Sequence, residues 1–93
     1  GELRSRKGLN LPGADLGSSC FTERDRECVR FAAEHQLDSI SQSFVSTAED
    51  LQEVRAFAAD LGYEPFLIAK IERLGALDHI DRILKECDGI MVA

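Results

Sequence analysis

The sequence predicts an α/β fold, and within that class part of a (β/α)8 TIM barrel with parallel strands. Helical and strand patterns alternate along the chain: helix, strand, helix, strand, helix, strand. The connections between them are short, which implies a parallel sheet with right-handed crossovers. Strand starts recur at about 25-residue intervals, the repeat of a barrel of roughly 250 residues. A free-standing sheet of three such strands is the alternative. It would leave two unpaired edges and little cover, which suits parallel strands poorly.

Taken in order, the stretch from Gly1 to Ser19 is rich in Gly, Ser and charge, and Pro12-Gly13 is a turn signal, so it reads as a connector or hinge. Thr22 followed by Asp25 has the form of a capping box. Val29, Ala32 and Ala33 recur at helical spacing after it, which predicts a helix from Glu23 to His35. Leu37 to Val45 reads as a strand carrying Ile40, Phe44 and Val45. Thr47, with Asp50 three residues on, opens a second helix whose apolar face is Leu51, Val54, Ala58 and Leu61, and Gly62 stops it. Phe66 to Glu72 is the next strand. Gly75 opens a third helix with Leu77, Ile80, Ile83 and Leu84 as its buried stripe, and Asp88-Gly89 leads into a strand at Ile90-Met91-Val92.

Ninety-three residues suffice for one small domain with one core. With 44% hydrophobic and 30% charged residues, the composition is that of a soluble globular protein. The net charge of −6 argues against nucleic acid as a main partner, because phosphate backbones need a basic surface. Only the start is basic, through Arg4, Arg6 and Lys7. No apolar run approaches the roughly 20 residues of a membrane helix, and no signal peptide is visible. Cys20, Cys28 and Cys87 form no CxxC pair and read as buried or incidental thiols, so a cytoplasmic setting is expected. A start at Gly1 and a stop at Ala93 straight after an apolar run suggest a piece of something larger.

The chemistry-bearing candidates cluster on strand ends. In Phe66-Leu67-Ile68-Ala69-Lys70-Ile71-Glu72, an ammonium and a carboxylate stand two residues apart in an apolar run. The side-chain period of a strand is two, so Lys70 and Glu72 emerge on one face. Burying either charge alone costs several kcal/mol, roughly, so the pair needs each other, a metal or an anionic ligand. In a barrel, such positions lie at the active-site mouth. Ser43 holds the corresponding end of the preceding strand, on the face it shares with Ser41. An acidic oxygen ligand beside a lysine suits Mg2+ or Mn2+ with a phosphate or carboxylate substrate, while a plain ion pair is the structural alternative. Lys7, in a flexible Gly-containing segment, is placed to reach a phosphate or else is simply solvated. His35 and His79 have no partner at metal-ligand spacing and read as surface residues. Glu49-Asp50 and Asp78/Asp81 read as charges favourable to helix N-termini. No GxxxxGK[ST], GxSxG, HExxH or EF-hand pattern occurs.

Five motifs then resemble, in order and at family-like spacing, those of the pyruvate kinases. Ser5-Arg6-Lys7-Gly8-Leu9-Asn10-Leu11-Pro12-Gly13 is similar to S-x-K-G-V-N-L-P-G, and Thr22-Glu23-Arg24-Asp25 to T-E-K-D. Ser43-Phe44-Val45 and Thr47-Ala48-Glu49-Asp50 resemble A-S-F-I/V-R-T-A-E-D. Ile68-Ala69-Lys70-Ile71-Glu72 resembles I-A/S-K-I-E-N, and Asp88 to Ala93 resembles the start of D-G-I-M-V-A-R-G-D-L-G. The resemblance implies that residues 1–13 are the end of a lid domain and its hinge, and that 14–93 are a partial barrel, from its third helix through its sixth strand. It implies phosphate transfer from phosphoenolpyruvate to ADP, giving pyruvate and ATP, with Mg2+ or Mn2+ and usually K+, in a homotetramer when complete. On the matching positions, Lys70 would stabilise charge on the transferring phosphoryl group and enolate, and Glu72 would ligate the divalent metal. Lys7 would contact nucleotide phosphates, and Ser43 would line the site. Arg73 replaces the family's Asn, Ser46 its Arg, and Ser18-Ser19 its Leu-Pro. The chain stops before the Arg-Gly-Asp-Leu-Gly that would bring a second metal-binding carboxylate, so the isolated piece is expected to be inactive. Two other readings stay open: another metal-dependent barrel enzyme of phosphoenolpyruvate or pyruvate chemistry, and a non-catalytic truncated module for binding or assembly. The lysine of S-x-K-G and the N-L-P-G hinge weigh against the first, and a native start and stop bounding this segment would mark the second.

Overall fold

A computed structural model describes residues 7–14, 20–72 and 74–92. Four strands form one parallel sheet: β1 (Gly8–Leu11), β2 (Ser39–Gln42), β3 (Phe66–Ile71) and β4 (Gly89–Val92). Between them lie α1 (Glu23–Glu34), α2 (Ala48–Asp60) and, after a 3-10 turn at Leu74–His79, α3 (Ile80–Glu86). The spatial order is the chain order, β1-β2-β3-β4. A doubly wound sheet reverses its strand order and puts helices on both faces. Here each strand pairs with its successor in parallel, and the helices share one core with one sheet face, which is the arc of a barrel wall.

That core follows from alternation. Leu11, Ile40, Leu67, Ala69 and Ile71 are buried together with Val29 and Ala32 of α1, Leu51, Val54 and Ala58 of α2, and Ile83 of α3. The register Ile40↔Leu67 and Gln42↔Ala69 keeps these side chains on the helix-covered face. The opposite face carries Asn10, Ser41, Phe66, Ile68, Lys70 and Met91. Among the described residues no helix covers it, and Phe66 and Met91 are half exposed.

The helix starts form as their sequences dictate. The Thr22 Oγ1 accepts from the Asp25 N–H at 3.1 Å, and the Asp25 carboxylate accepts from the Thr22 N–H at 3.2 Å, closing the expected capping box. Asp50 accepts from the N–H groups of Ser46 and Thr47 at the start of α2. Gly62 ends α2 at φ +71° and Gly13 turns at φ +63°, both in the left-handed region that glycine enters without cost.

Three elements differ from the sequence reading. The connector contains a strand, β1, whose backbone pairs with β2 from Gly8↔Ser39 to Leu11↔Gln42. The second strand ends at Gln42 rather than Val45, because Phe44 adopts φ +59°. The third helix begins as a 3-10 turn; of its expected stripe Ile83 is buried and Ile80 packs against the core, but Leu77 and Leu84 are exposed, and Ala76 is buried beside Leu77. A 3-10 turn advances about 120° per residue against 100° for an α-helix, so the buried face rotates away from Leu77. The basic side chains of Arg4 and Arg6, and the departures at Ser18-Ser19 and Arg73, lie outside the described residues.

Candidate active site at the strand ends

Lys70 is the fifth residue of β3 and Glu72 lies one residue past its end. Continuing the pairing Gln42↔Ala69 brings Ser43 level with Lys70. Lys70, Glu72 and Ser43 therefore gather at the C-terminal rim of the sheet, on the uncovered face. The pair is not a mutual salt bridge. Among the described residues Lys70 makes no ion pair, and the Glu72 Oε2 instead accepts from the backbone N–H of Phe44 at 2.9 Å. Nor is the pair buried as the apolar run suggested: Lys70 is half-buried and Glu72 exposed, because no helix among the described residues covers the face they share.

Ser43 is itself buried and donates its Oγ hydrogen to Asn10 Oδ1 at 3.3 Å. Ser41 donates to the same oxygen at 2.8 Å. Asn10 thus links β1 to both serines, a role sequence reasoning did not assign it. Below this row lies a fully buried polar cluster. Asp25 accepts from the N–H groups of Gly13 at 3.0 Å and Thr22 at 3.2 Å, and from Gln42 Nε2 at 3.4 Å. Gln42 Nε2 also donates to the carbonyls of Ser43 and Cys20. A Cβ on Gly13 would stand 2.7 Å from the Ser43 oxygen, so the turn there requires glycine for space as well as conformation. Burial, then the carboxylates of Asp50 and Asp25, push the Cys20 thiol up to about 12. A thiol so far from its thiolate is no nucleophile at neutral pH. Of the three cysteines, Cys20 is buried as expected, and Cys28 and Cys87 are half-buried.

Lys7 is not brought to this rim. It precedes β1 at the sheet's N-terminal edge, where its N–H donates to Asp38 Oδ2 at 3.0 Å. Five residues of parallel strand separate its row from that of Ser43, about 16 Å at the rise of a strand. His35 and His79 are exposed, as expected of surface residues.

The donors for a metal are few. Among the described residues no group of three or more His, Cys, Asp or Glu side chains is arranged to hold a metal ion. A hard cation that keeps its waters and takes one or two carboxylates plus substrate oxygens asks for less, and Glu72 fits as one such ligand. Its Oε2 is engaged by Phe44, while among the described residues nothing donates to Oε1.

A parallel barrel wall with a lysine, a carboxylate and a serine converging at the C-terminal strand ends defines a segment of a barrel enzyme. The chain matches the family model described as pyruvate kinase, barrel domain, over residues 1–93, and it belongs to the pyruvate kinase family. It is 44% identical over 93 residues to a pyruvate kinase of Thermococcus litoralis and 46% identical to one of Agrobacterium vitis; each match covers the whole chain, and 20% and 19% of the respective relative. Pyruvate kinase 1 of Saccharomyces cerevisiae is 37% identical, again over the whole chain and 19% of its own length. The chain therefore spans about a fifth of the relatives it matches. Among the described residues no helix is long and apolar enough to cross a membrane.

Proposed function

We propose that this chain supplies part of the catalytic barrel of an enzyme that moves the phosphoryl group of phosphoenolpyruvate to ADP, giving pyruvate and ATP. The observation that supports the reading most is the placement of Lys70 and Glu72 on one open face at the C-terminal rim, level with Ser43. Phosphoryl transfer needs positioned charge more than covalent chemistry. The Lys70 ammonium, with no carboxylate neutralising it among the described residues, is available to the transferring phosphoryl group and to the enolate oxygen left behind. Glu72 would hold Mg2+ or Mn2+. That ion, when bound, supplies charge to neutralise the phosphoryl oxygens. Ser43, fixed by Asn10, lines the site. K+, a homotetrameric complete enzyme and a cytoplasmic setting belong to the same proposal.

Lys7 is proposed to contact nucleotide phosphates. Its place at the far edge of the sheet means that this contact needs the segment before Pro12 to leave β2 in the complete chain, as a segment returning from a lid would. The hinge at Pro12-Gly13 is the point at which that departure would begin.

The test is pyruvate release from phosphoenolpyruvate and ADP by the complete chain, with and without divalent metal. Activity indifferent to divalent metal would remove Glu72 from its role. The 93 residues alone are expected to give no turnover, since among the described residues one carboxylate at the rim and a four-stranded sheet make only part of a metal site and of a barrel. Robust pyruvate formation by this segment alone would contradict that.

A further inference from the structure

The end of β2 does something that regular pairing does not require. The bond from the Phe66 N–H to the Asp38 carbonyl at 2.9 Å, with the register Ser39↔Phe66, sets the alternation of the β2–β3 ladder. Carried forward, that alternation assigns the Lys70 carbonyl to the N–H of Phe44. The bond is made instead by Val45, at 3.1 Å. One extra residue has entered β2, which is a bulge, and the extra residue is Phe44 at φ +59°. Phenylalanine gains nothing locally from that conformation, which is unusual for any residue except glycine, Asn or Asp. Its N–H, released from the ladder, donates to the Glu72 carboxylate at 2.9 Å.

We propose that the Phe44 bulge is a positioning device: a left-handed residue turns one backbone N–H out of the ladder to hold Oε2 of Glu72, leaving Oε1 for the cation. The proposal rests on Glu72 being a metal ligand. Bulges recur at barrel rims and beside active sites because they re-aim groups there, and backbone strain persists where the surroundings enforce it. Both ends of the device are tied down. Ser43, just before Phe44, is buried and bonded to Asn10, and Val45, just after it, is fully buried and bonded to Lys70. A carboxylate on an exposed strand end otherwise samples several rotamers, and each must be given up to bind a metal.

The experiment uses the complete enzyme and reads Mn2+ affinity by the loss of the free-ion spin resonance signal, without turnover. Phe44→Gly and Phe44→Asn accept the left-handed backbone, so both should bind Mn2+ within about threefold of the parent. Phe44→Val keeps an apolar side chain but disfavours that backbone, and should weaken binding about 10-fold or more, the usual effect of losing a group that orients a ligand. If Phe44→Val does not fold, Phe44→Ala replaces it, with a smaller loss expected. Parent-like affinity in Phe44→Val or its substitute overturns the proposal. So does an equal loss in Phe44→Gly and Phe44→Asn, which would assign the effect to the ring. Glu72→Gln separates the two levels. If it lowers affinity and Phe44→Val does not, only the positioning role fails. If Glu72→Gln leaves affinity unchanged, the ligand assignment fails first.

Discussion

The two ends of the sheet are built on opposite terms. At the N-terminal rim the polar groups of the strand entries are tied to one another. Asp88 Oδ2 accepts from the Leu67 N–H at 2.8 Å and from Arg55 Nη2 at 2.9 Å, and Arg55 Nε donates to the Glu86 carbonyl. The Tyr63 hydroxyl donates to the Leu37 carbonyl at 2.8 Å, and Asp38 is held by the Lys7 N–H. At the C-terminal rim, among the described residues, Lys70 has no carboxylate partner and one oxygen of Glu72 accepts nothing, and Phe44 is in a costly conformation. The first rim commits its charged groups to the fold, whereas at the second the Lys70 ammonium and one Glu72 oxygen stay uncommitted among the described residues. Barrels divide stability and chemistry between their ends in this way.

The sharpest way to break that contrast is Lys70→Met in the complete enzyme. An electrostatic group aimed at developing charge is worth about a hundred- to a thousandfold in rate, so kcat should fall by at least that range. The melting temperature should move by no more than about 3 °C, because Lys70 makes no ion pair among the described residues. A kcat within tenfold of the parent, measured by pyruvate release, would rule out the role. The next effect belongs to the underside of the same rim. Asp25→Ala removes the acceptor of two part-buried N–H groups, those of Gly13 and Thr22, at about 1 kcal/mol or more each, while Gln42 Nε2 keeps the carbonyls of Ser43 and Cys20. Denaturant unfolding should show a loss of about 2 kcal/mol. A loss under about 0.5 kcal/mol would mean that the cluster does not anchor the turn at Gly13.

What was legible in the sequence follows the same division. Helix starts could be read because their signals are local: Thr22 with Asp25, and Thr47 with Asp50, carry their own hydrogen bonds. The alternation of elements gave the parallel barrel arc, and period two put Lys70 and Glu72 on one face. The strand β1 was not legible, since Gly8-Leu9-Asn10-Leu11 offers two apolar residues and a following proline, and its pairing is supplied by the edge of β2. Gln42, in a strand otherwise carried by Ile40, gave no sign of its buried bonds to Asp25, which come from a helix start 17 residues away. The bulge had no signal either, because Phe44 has no preference for left-handed backbone; its neighbours impose it. Local rules reached the scaffold and missed what distant segments do to one another.

The smallest expected effect tests the N-terminal rim. The Leu67 N–H, and then the Arg55 guanidinium, hold the Asp88 carboxyl below its ordinary value of 3.8. A carboxyl depressed by folding stabilises the native state above its unfolded value, and that contribution is lost as pH falls through the lower folded value. Asp88→Asn should therefore cost about 1 kcal/mol near neutral pH, a modest figure because Arg55 and Asp88 are 38% and 40% exposed and water screens them. The gap between variant and parent should stay constant down to about pH 4 and close below it. Unfolding of the complete chain in urea across that range measures it, with kcat at neutral pH expected to be unchanged. A gap that widens on acidification would reverse the sign of the linkage. A drop in kcat without loss of stability would move Asp88 from the structural rim to the catalytic one, and the contrast between the two ends would no longer hold.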